Sequence, residues 1–520
     1  MLPPEQEEDQ SFRAPVVSGR WVWTANPDTG KVAVVDAKNF TVRLADAGQA
    51  PTFLTALPTT ASNTSRALVI NVKSQDATLL SAGDSGAVVA LPPIPLQADA
   101  NTWAVGKSGR FALAWTDSQS LTPDPAEGFQ DVTVVDLSGT APVATRLVVG
   151  FLPSRVFIDD DEKTAFVVAS TGISVIDLSA ADGPRVLKEE AVSRDLKEDA
   201  TTRDVSVLPD GSYALVRHEG SPIITLLELA SGTLTDVTFS GPVTDLDLVP
   251  NAKSALAVVR GDSAASVGVD AGMNDNDASS DASDGEADAA TAGAGNVGIE
   301  PLRSTLAILP IPGIFSAPTS FDTVSIDELF GLVNIAPQGT KALLYTNAVA
   351  SSQLTLLETA RGPQYQSFRT VDVHGDIHDV FPSPDGAYAI ASLVPQGTAG
   401  KPGFAVVPVD ATLPSYTQTT EAPVFAVAQS SDPLPRAVIA VSDGAANFAA
   451  YVVRMPELVV DRVQLPSRPL AGATGLVPDA GMAYIAEAYP EGRITFIDLE
   501  TGLPGTITGF EISAKVVDGN

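Results

Sequence analysis

The stretch FPSPDGAYAIASL, residues 381–393, points to the fold because two similar stretches occur elsewhere in the chain. One is VLPDGSYALVRHE at 207–219, and a looser one is LVPDAGMAYIAEA at 476–488. Each has a short apolar segment, a turn such as Pro-Asp-Gly, and a second apolar segment rich in small residues. Because Gly tolerates positive φ, this pattern predicts two antiparallel strands joined by a tight turn.

Weaker copies of the same pattern extend the repeat along most of the chain. The second strand of each unit is predicted to start near Trp21, Arg66, Arg110, Thr164, Ser212, Ser254, Lys341, Ala387, Arg436 and Met482. The intervals are 45, 44, 54, 48, 42, 87, 46, 49 and 46 residues. A third strand that ends in an acid, as in ISVIDLSA (173–180), and a more polar fourth strand follow in each unit. Four short strands repeated at this period indicate a β-propeller.

The predicted fold is all-β: a single β-propeller of four-stranded antiparallel blades over residues 18–520. About ten units are counted, and a ring of seven or eight blades is the alternative. The apolar segment EISAKVV (511–517) is expected to close the ring as the first strand of the opening blade, which would remove two exposed sheet edges. Residues 1–17, acidic and Pro-containing, are expected to form a disordered leader.

The composition excludes several classes of function. The formal net charge of −32 leaves too few Lys and Arg residues for nucleic-acid binding. The chain has no cysteine, and so neither disulfides nor thiolate metal sites. No apolar run is long enough for a membrane-spanning helix, and the first residues lack the pattern of a signal peptide. The expected location is extracytoplasmic (periplasmic, secreted or at the cell surface), with the signal absent from this chain; the alternative is cytoplasmic.

The long interval of 87 residues contains a low-complexity insert in the sixth unit, at 262–300. Its first 37 positions carry eight acids and no Lys or Arg, so it is expected to be disordered. Calcium bound by Asp275, Asp277, Asp281 and Asp284 is the alternative. The order of these acids does not match an EF-hand, because Gly285 comes too late. The sequence therefore predicts no cofactor.

Few residues are candidates for chemistry. The chain has three histidines, His218, His374 and His378, and the pair in HGDIH is predicted to lie on a strand, where four residues span about 13 Å. No metal or cofactor site is predicted. The weak catalytic candidates lie near the starts of inner strands: Arg203, Asp204, His374, Asp376, His378 and Asp379.

Two other groups of residues have structural interpretations. The acids that end the third strands, such as Asp136 and Asp177, are expected to bond the backbone of the turn that follows. The four tryptophans, at 21, 23, 103 and 115, are expected in the core, with a stacking platform for sugars as the alternative.

The units VSVLPDGSYALV and DVFPSPDGAYAIASL, with the third strands ISVIDLSA and ITFIDLETG, resemble the bacterial YVTN-type, lactonase-like β-propeller repeats. The resemblance covers about residues 18–520. It implies a propeller, and a function among exported surface or binding proteins or lactone hydrolases. This chain departs from that pattern in its number of units, and it has no cluster of His, Arg and Glu that maps onto a site.

Two functions follow from these observations. The first is a non-catalytic exported or cell-surface propeller, similar to a lipoprotein, that acts as a scaffold binding a protein or glycan partner at one face. The alternative is a lactonase-like hydrolase with its site at the mouth of the axial channel. An enzyme is the less favoured of the two, and the sequence does not indicate an oligomeric state.

Overall fold

The computed structural model describes most of the repeat region. The described residues are 15–59, 64–117, 129–195, 197–250, 253–261, 303–326, 328–359, 368–395, 400–409, 413–431, 433–455, 457–489 and 492–509. The expected leader, apart from Pro15 and the strand that follows it, and the insert 262–300 lie outside these residues.

The described chain forms ten antiparallel sheets, each made of consecutive strands. Blade one contains β1 (Val16–Ser18), β2 (Trp21–Asn26), β3 (Lys31–Asp36) and β4 (Val42–Asp46), and blade two contains β5 (Pro51–Leu57), β6 (Ser65–Asn71), β7 (Asp76–Ala82), β8 (Val88–Ala90) and β9 (Ile94–Pro95). Blade three contains β10 (Thr102–Val105), β11 (Phe111–Trp115), β12 (Asp131–Asp136) and β13 (Val143–Val148), and blade four contains β14 (Pro153–Ile158), β15 (Thr164–Ala169), β16 (Gly172–Asp177) and β17 (Arg185–Glu190). Blade five contains β18 (Arg203–Val207), β19 (Tyr213–His218), β20 (Ile223–Glu228) and β21 (Thr233–Thr238).

Blades six to ten continue in the same order. Blade six contains β22 (Val243–Leu248), β23 (Ser254–Arg260), β24 (Ser304–Pro310) and β25 (Asp322–Ile326), and blade seven contains β26 (Leu332–Ile335), β27 (Lys341–Tyr345), β28 (Gln353–Glu358) and β29 (Phe368–Asp372). Blade eight contains β30 (Asp376–Pro382), β31 (Tyr388–Val394), β32 (Gly403–Pro408) and β33 (Tyr416–Thr419), and blade nine contains β34 (Val424–Gln429), β35 (Arg436–Ser442), β36 (Phe448–Arg454) and β37 (Val459–Val463). Blade ten contains β38 (Pro469–Val477), β39 (Met482–Glu487), β40 (Arg493–Asp498) and β41 (Pro504–Thr508). The prediction of ten four-stranded blades is confirmed, and the alternative of seven or eight is wrong.

Helix is scarce in the described residues. It is limited to α1 (Gly313–Ser316) and to the 3₁₀ turns Ala200–Thr202 and Pro478–Ala480. None of the described helices has the length and apolar character needed to cross a membrane.

Local turn chemistry explains why the repeats form hairpins. In the turns between first and second strands, Gly211 and Gly386 both have φ of +68°, a conformation that costs glycine little. At the ends of third strands, Asp136 accepts a hydrogen bond from the backbone N–H of Ser138 at 2.8 Å, and Asp177 accepts one from Ser179 at 2.9 Å. The interpretation of these aspartates as turn residues is confirmed.

The hydrophobic core lies between the blades. Each core cluster joins side chains of neighbouring blades, for example Leu343 and Leu354 of blade seven with Val380 and Ala391 of blade eight. Nearly every blade places a fully buried alanine at the start of its second strand. These are Ala67, Ala112, Ala165, Ala214, Ala255, Ala342, Ala389, Ala437 and Ala483. A methyl group at this position lets the preceding blade pack closely.

The ring closes where blade ten meets blade one. Phe496 of blade ten packs against Phe40 of blade one, with ring centroids 5.3 Å apart. The buried hydroxyl of Tyr484 donates a hydrogen bond to the carbonyl of Pro15 at 2.8 Å. A Cβ at Gly475 would lie 2.7 Å from the Tyr484 ring, so glycine makes room for this side chain.

The closing strand differs from the expectation. The first strand of the opening blade is β1, which pairs with β2 through Val16–Trp23, so the N-terminal segment fills the place expected for the C-terminal one. The segment 511–517 itself lies outside the described residues. The tryptophans are core residues as expected, because all four are at least 96 % buried.

Substitution of a second-strand alanine tests the packing between blades. We expect Ala389→Leu to lower the free energy of unfolding by about 1–3 kcal/mol, because the added atoms have no space between blades seven and eight. The midpoint of urea unfolding measures the effect. Ala141→Leu, at an exposed turn, is the control. Equal midpoints for the two variants would contradict the packing argument.

The seam can be tested by removing a single oxygen. Tyr484→Phe leaves the Pro15 carbonyl without its donor, and we expect a loss of about 1–3 kcal/mol in the free energy of unfolding. Tyr416→Phe removes a half-buried hydroxyl that bonds Gln418 within one blade, and it serves as the control. A Tyr484→Phe variant that melts with the wild type would show that the seam does not need this bond.

Candidate functional site

All six predicted candidates lie on one face of the ring. Because the strands of each blade alternate in direction, one face carries the turns from second to third strands and the connections from each fourth strand to the next blade. We call this the 2–3 face. The structure does not bring the candidates together, since Arg203 and Asp204 belong to blade five and the other four belong to blade eight or to the connection before it.

Arg203 fixes blade five to blade four. Its side chain is only 4 % exposed and donates to Glu198 Oε1 at 2.5 Å and to the backbone carbonyl of Ala169, in blade four, at 2.6 Å. Glu198 Oε2 also lies 3.3 Å from His218 Nε2. Both terminal nitrogens of the guanidinium are therefore engaged, and the bond to Ala169 holds the two blades together.

Asp204 lies between two arginines. Arg155 of blade four approaches its Oδ1 at 3.3 Å, and Arg217 of blade five approaches its Oδ2 at 3.9 Å. Arg217 also donates to the carbonyl of Thr244, in blade six, at 2.8 Å. Polar contacts thus run continuously across blades four, five and six.

The blade eight candidates fall on a turn and a β-bulge. His374 precedes the strand, with φ of +60° and a 70 % exposed side chain. Its backbone N–H donates to Asp372 Oδ1 at 2.7 Å, which lowers the pKa of Asp372 below its usual value. His378 lies at the bulge of β30, between Ile377 and Asp379. The prediction of a strand holds for His378 and is wrong for His374.

Asp379 contacts the neighbouring blade. It accepts a hydrogen bond from the hydroxyl of Tyr345, in blade seven, at 2.9 Å, and one from the backbone N–H of Val380 at 2.7 Å. Asp376 opens β30, with its Cα opposite that of Val394. Across the described part of the chain, no three His, Asp or Glu residues are grouped closely enough to hold a metal ion.

A pocket of about 520 Å³ also opens on the 2–3 face, around blade three. It combines two carboxylates, a guanidinium, two amides and a hydroxyl with a few apolar groups. Its lining consists of Gln75, Gln97, Ala98, Asp99, Thr116, Phe129, Asp131, Arg146 and Pro153. Pockets of roughly 300–1,000 Å³ are of the size that holds small ligands.

Prolines explain how the pocket forms. The segment LPPIP (91–95) interrupts the outer strand of blade two, because proline has no N–H to donate to a ladder. The outer strand is consequently split into β8 and β9, which pair with different ends of β7. The connection that follows, 96–101, lines the pocket on its way to blade three.

Buried hydrogen bonds fix the position of Gln97 in the pocket wall. The amide of Gln97 donates to the carbonyl of Ala114 at 2.8 Å and accepts from the hydroxyl of Thr133 at 2.5 Å. Asp131 and Arg146 lie on adjacent strands of blade three, with Oδ2 and Nη2 2.5 Å apart. The hydrogen bond to Asp131 raises the pKa of Arg146, which therefore stays charged.

None of the pocket residues was a sequence candidate. Two signals pointed to this region: the proline run 91–95, and the interval of 54 residues, the longest except for the one that contains the insert. Both mark departures from the repeat, whereas the candidates were chosen for residue type.

Comparisons with known proteins support the fold alone. No protein-family model matches the chain, and no curated protein matches its sequence. Among solved structures, a eukaryotic initiation factor is 14 % identical, with a TM-score of 0.50, covering 84 % of this chain and 94 % of that chain. Dihydro-heme d1 dehydrogenase NirN, in complex with DHE, is 13 % identical, with a TM-score of 0.42, covering 85 % and 75 %. Apo AztD from Citrobacter koseri is 12 % identical, with a TM-score of 0.37, covering 84 % and 92 %.

The contacts of Arg203 and His374 predict a large effect of substitution at the first residue and a small one at the second. We expect Arg203→Ala to lower the free energy of unfolding by about 3 kcal/mol, because it leaves Glu198 and the Ala169 carbonyl without their donor. His374→Ala, at an exposed turn, should change it by less than about 0.5 kcal/mol. Urea unfolding of both variants measures the difference. A stable Arg203→Ala variant would show that the blade contact is dispensable.

Proposed function

We propose that this protein is a non-catalytic binding propeller that holds a glycan, or a protein carrying one, on its 2–3 face. The pocket around blade three is the observation that carries this proposal. It is small and polar, and buried hydrogen bonds hold Gln97 in its wall, so a ligand that contacts this part of the wall loses little binding free energy to its reorganisation. A wholly proteinaceous partner would instead use a wider area of the same face.

The catalytic candidates support the binding function over hydrolysis. Arg203, Asp204 and Asp379 are engaged in contacts between blades, and they belong to two separate parts of the ring. A hydrolase needs its acid, base and polarising groups within reach of one bond. Lactone hydrolysis remains the alternative through the resemblance to lactonase-like repeats.

Family and location are further parts of the proposal. The Pro-Asp-Gly turns and the third strands that end in Ile-Asp support kinship with the YVTN-type repeats. That kinship and the acidic Asp/Ala/Ser insert favour an extracytoplasmic protein. Detection of the native protein in the periplasmic, surface or culture fraction of its host would test this location.

A glycan array tests the binding function. We expect the wild type to bind a subset of printed glycans and Arg146→Ala to lose at least tenfold in signal, because the guanidinium lines the pocket. Arg185→Ala is a matched control. Arg185 occupies the fourth strand of blade four, and it has the same exposure, 58 %, and an aspartate partner equally exposed at 19 %.

One outcome would contradict the placement of the site, and another would contradict the binding function. Wild-type binding that Arg146→Ala and Arg185→Ala reduce equally would place the site elsewhere. Turnover of a lactone panel, lost on substitution of His378 or Asp379, would favour the hydrolase.

A further inference from the structure

The charges of the pocket bear on the class of ligand. Asp99 and Asp131 contribute two negative charges, and Arg146 contributes one positive charge. The lining is therefore negative by one charge, within a chain whose formal net charge is −32. An anionic ligand would be repelled both by the pocket and by the protein as a whole.

The Asp131–Arg146 pair provides an acceptor and a donor side by side. Arg146 lies opposite Thr133 on the adjacent strand, two positions along from Asp131, so the two side chains meet diagonally on one face of the sheet. Their mutual bond uses Asp131 Oδ2 and Arg146 Nη2. Asp131 Oδ1 can still accept a hydrogen bond, and the other N–H groups of Arg146 can still donate.

Hydroxyl groups on neighbouring carbons match such a pair. Each hydroxyl has one donor and two acceptor sites. One hydroxyl of a vicinal diol can therefore donate to the carboxylate while the other accepts from the guanidinium. A lone amine, or a lone carboxylate, satisfies only half of the pair.

The remaining lining suits the other surfaces of a sugar ring. Phe129, Pro153 and Ala98 provide apolar contact for the C–H groups of the ring. The fixed position of Gln97 keeps this wall in place without a ligand, because both ends of its amide are already bonded within blade three.

We propose that the pocket around blade three binds a neutral sugar unit through a vicinal diol held by Asp131 and Arg146. This inference rests on the proposed binding function and narrows its ligand to neutral carbohydrate. Uronic acids, sialic acids and sulfated sugars are excluded as preferred ligands by the excess negative charge.

Calorimetric titration with paired sugars tests the inference. The probes are methyl glycosides of neutral hexoses and methyl glycosides of the corresponding uronic acids. The two kinds share the ring diols, and the second carries one carboxylate. We expect a neutral hexoside to bind at least tenfold more tightly than its uronide. Asp131→Asn and Arg146→Ala should each weaken that binding at least tenfold, and Arg185→Ala should leave it unchanged. Unaltered thermal unfolding of the two pocket variants checks that they are folded.

The outcomes separate this inference from the binding function. A uronide that binds more tightly than its hexoside, with the loss confined to Arg146→Ala, would overturn the neutral-sugar inference and leave a glycan-binding propeller. Binding that neither pocket variant alters would overturn the assignment of the Asp131–Arg146 pair. If no sugar of the panel binds at millimolar concentration, the inference fails; glycan-array binding that is lost in Arg146→Ala would still support the wider function.

Discussion

The whole structure depends on burial of the two faces of every blade against its neighbours. A single four-stranded sheet of this size would leave both apolar faces in water, and the core clusters accordingly extend from one blade into the next. This requirement accounts for the repeated alanine at the start of the second strand, where a larger side chain would hold the blades apart. It also accounts for the closed ring, since an open arc of blades would end in two exposed faces.

Polar groups reinforce the same contacts near the axis. Arg203 reaches the backbone of blade four, Asp379 receives the hydroxyl of Tyr345 in blade seven, and Tyr484 joins blade ten to Pro15. Such groups occur where first strands begin, because polar groups of adjacent blades come within hydrogen-bond distance there and must be paired. Charged residues at these positions look catalytic in a sequence, but their partners lie in other blades.

Much of the fold could be predicted from the sequence because the repeat is local. The second strands begin within one residue of the expected positions, as at Ser65, Tyr213 and Tyr388, because hairpin turns are encoded by a few adjacent residues.

The pocket could not be predicted in this way. Gln75 is far in sequence from Arg146 and Pro153, and their proximity depends on how blades two, three and four pack. The first strand of the opening blade was also misassigned. It is β1, whose three residues are too few to show the pattern of the repeat.

Departures from the repeat therefore locate the part of the ring that is open to functional change. Positions that face a neighbouring blade are constrained on both sides, and a change at one of them must be accommodated by two sheets. In blade two, the split of the outer strand at Pro92 and Pro93 removes ladder bonds only at the rim. The connection 96–101, which follows the split strand, supplies Gln97 and Asp99 to the pocket, and the inner strands keep their pairing. A binding site can thus form where three neighbouring blades meet while the inner strands keep the packing of the repeat.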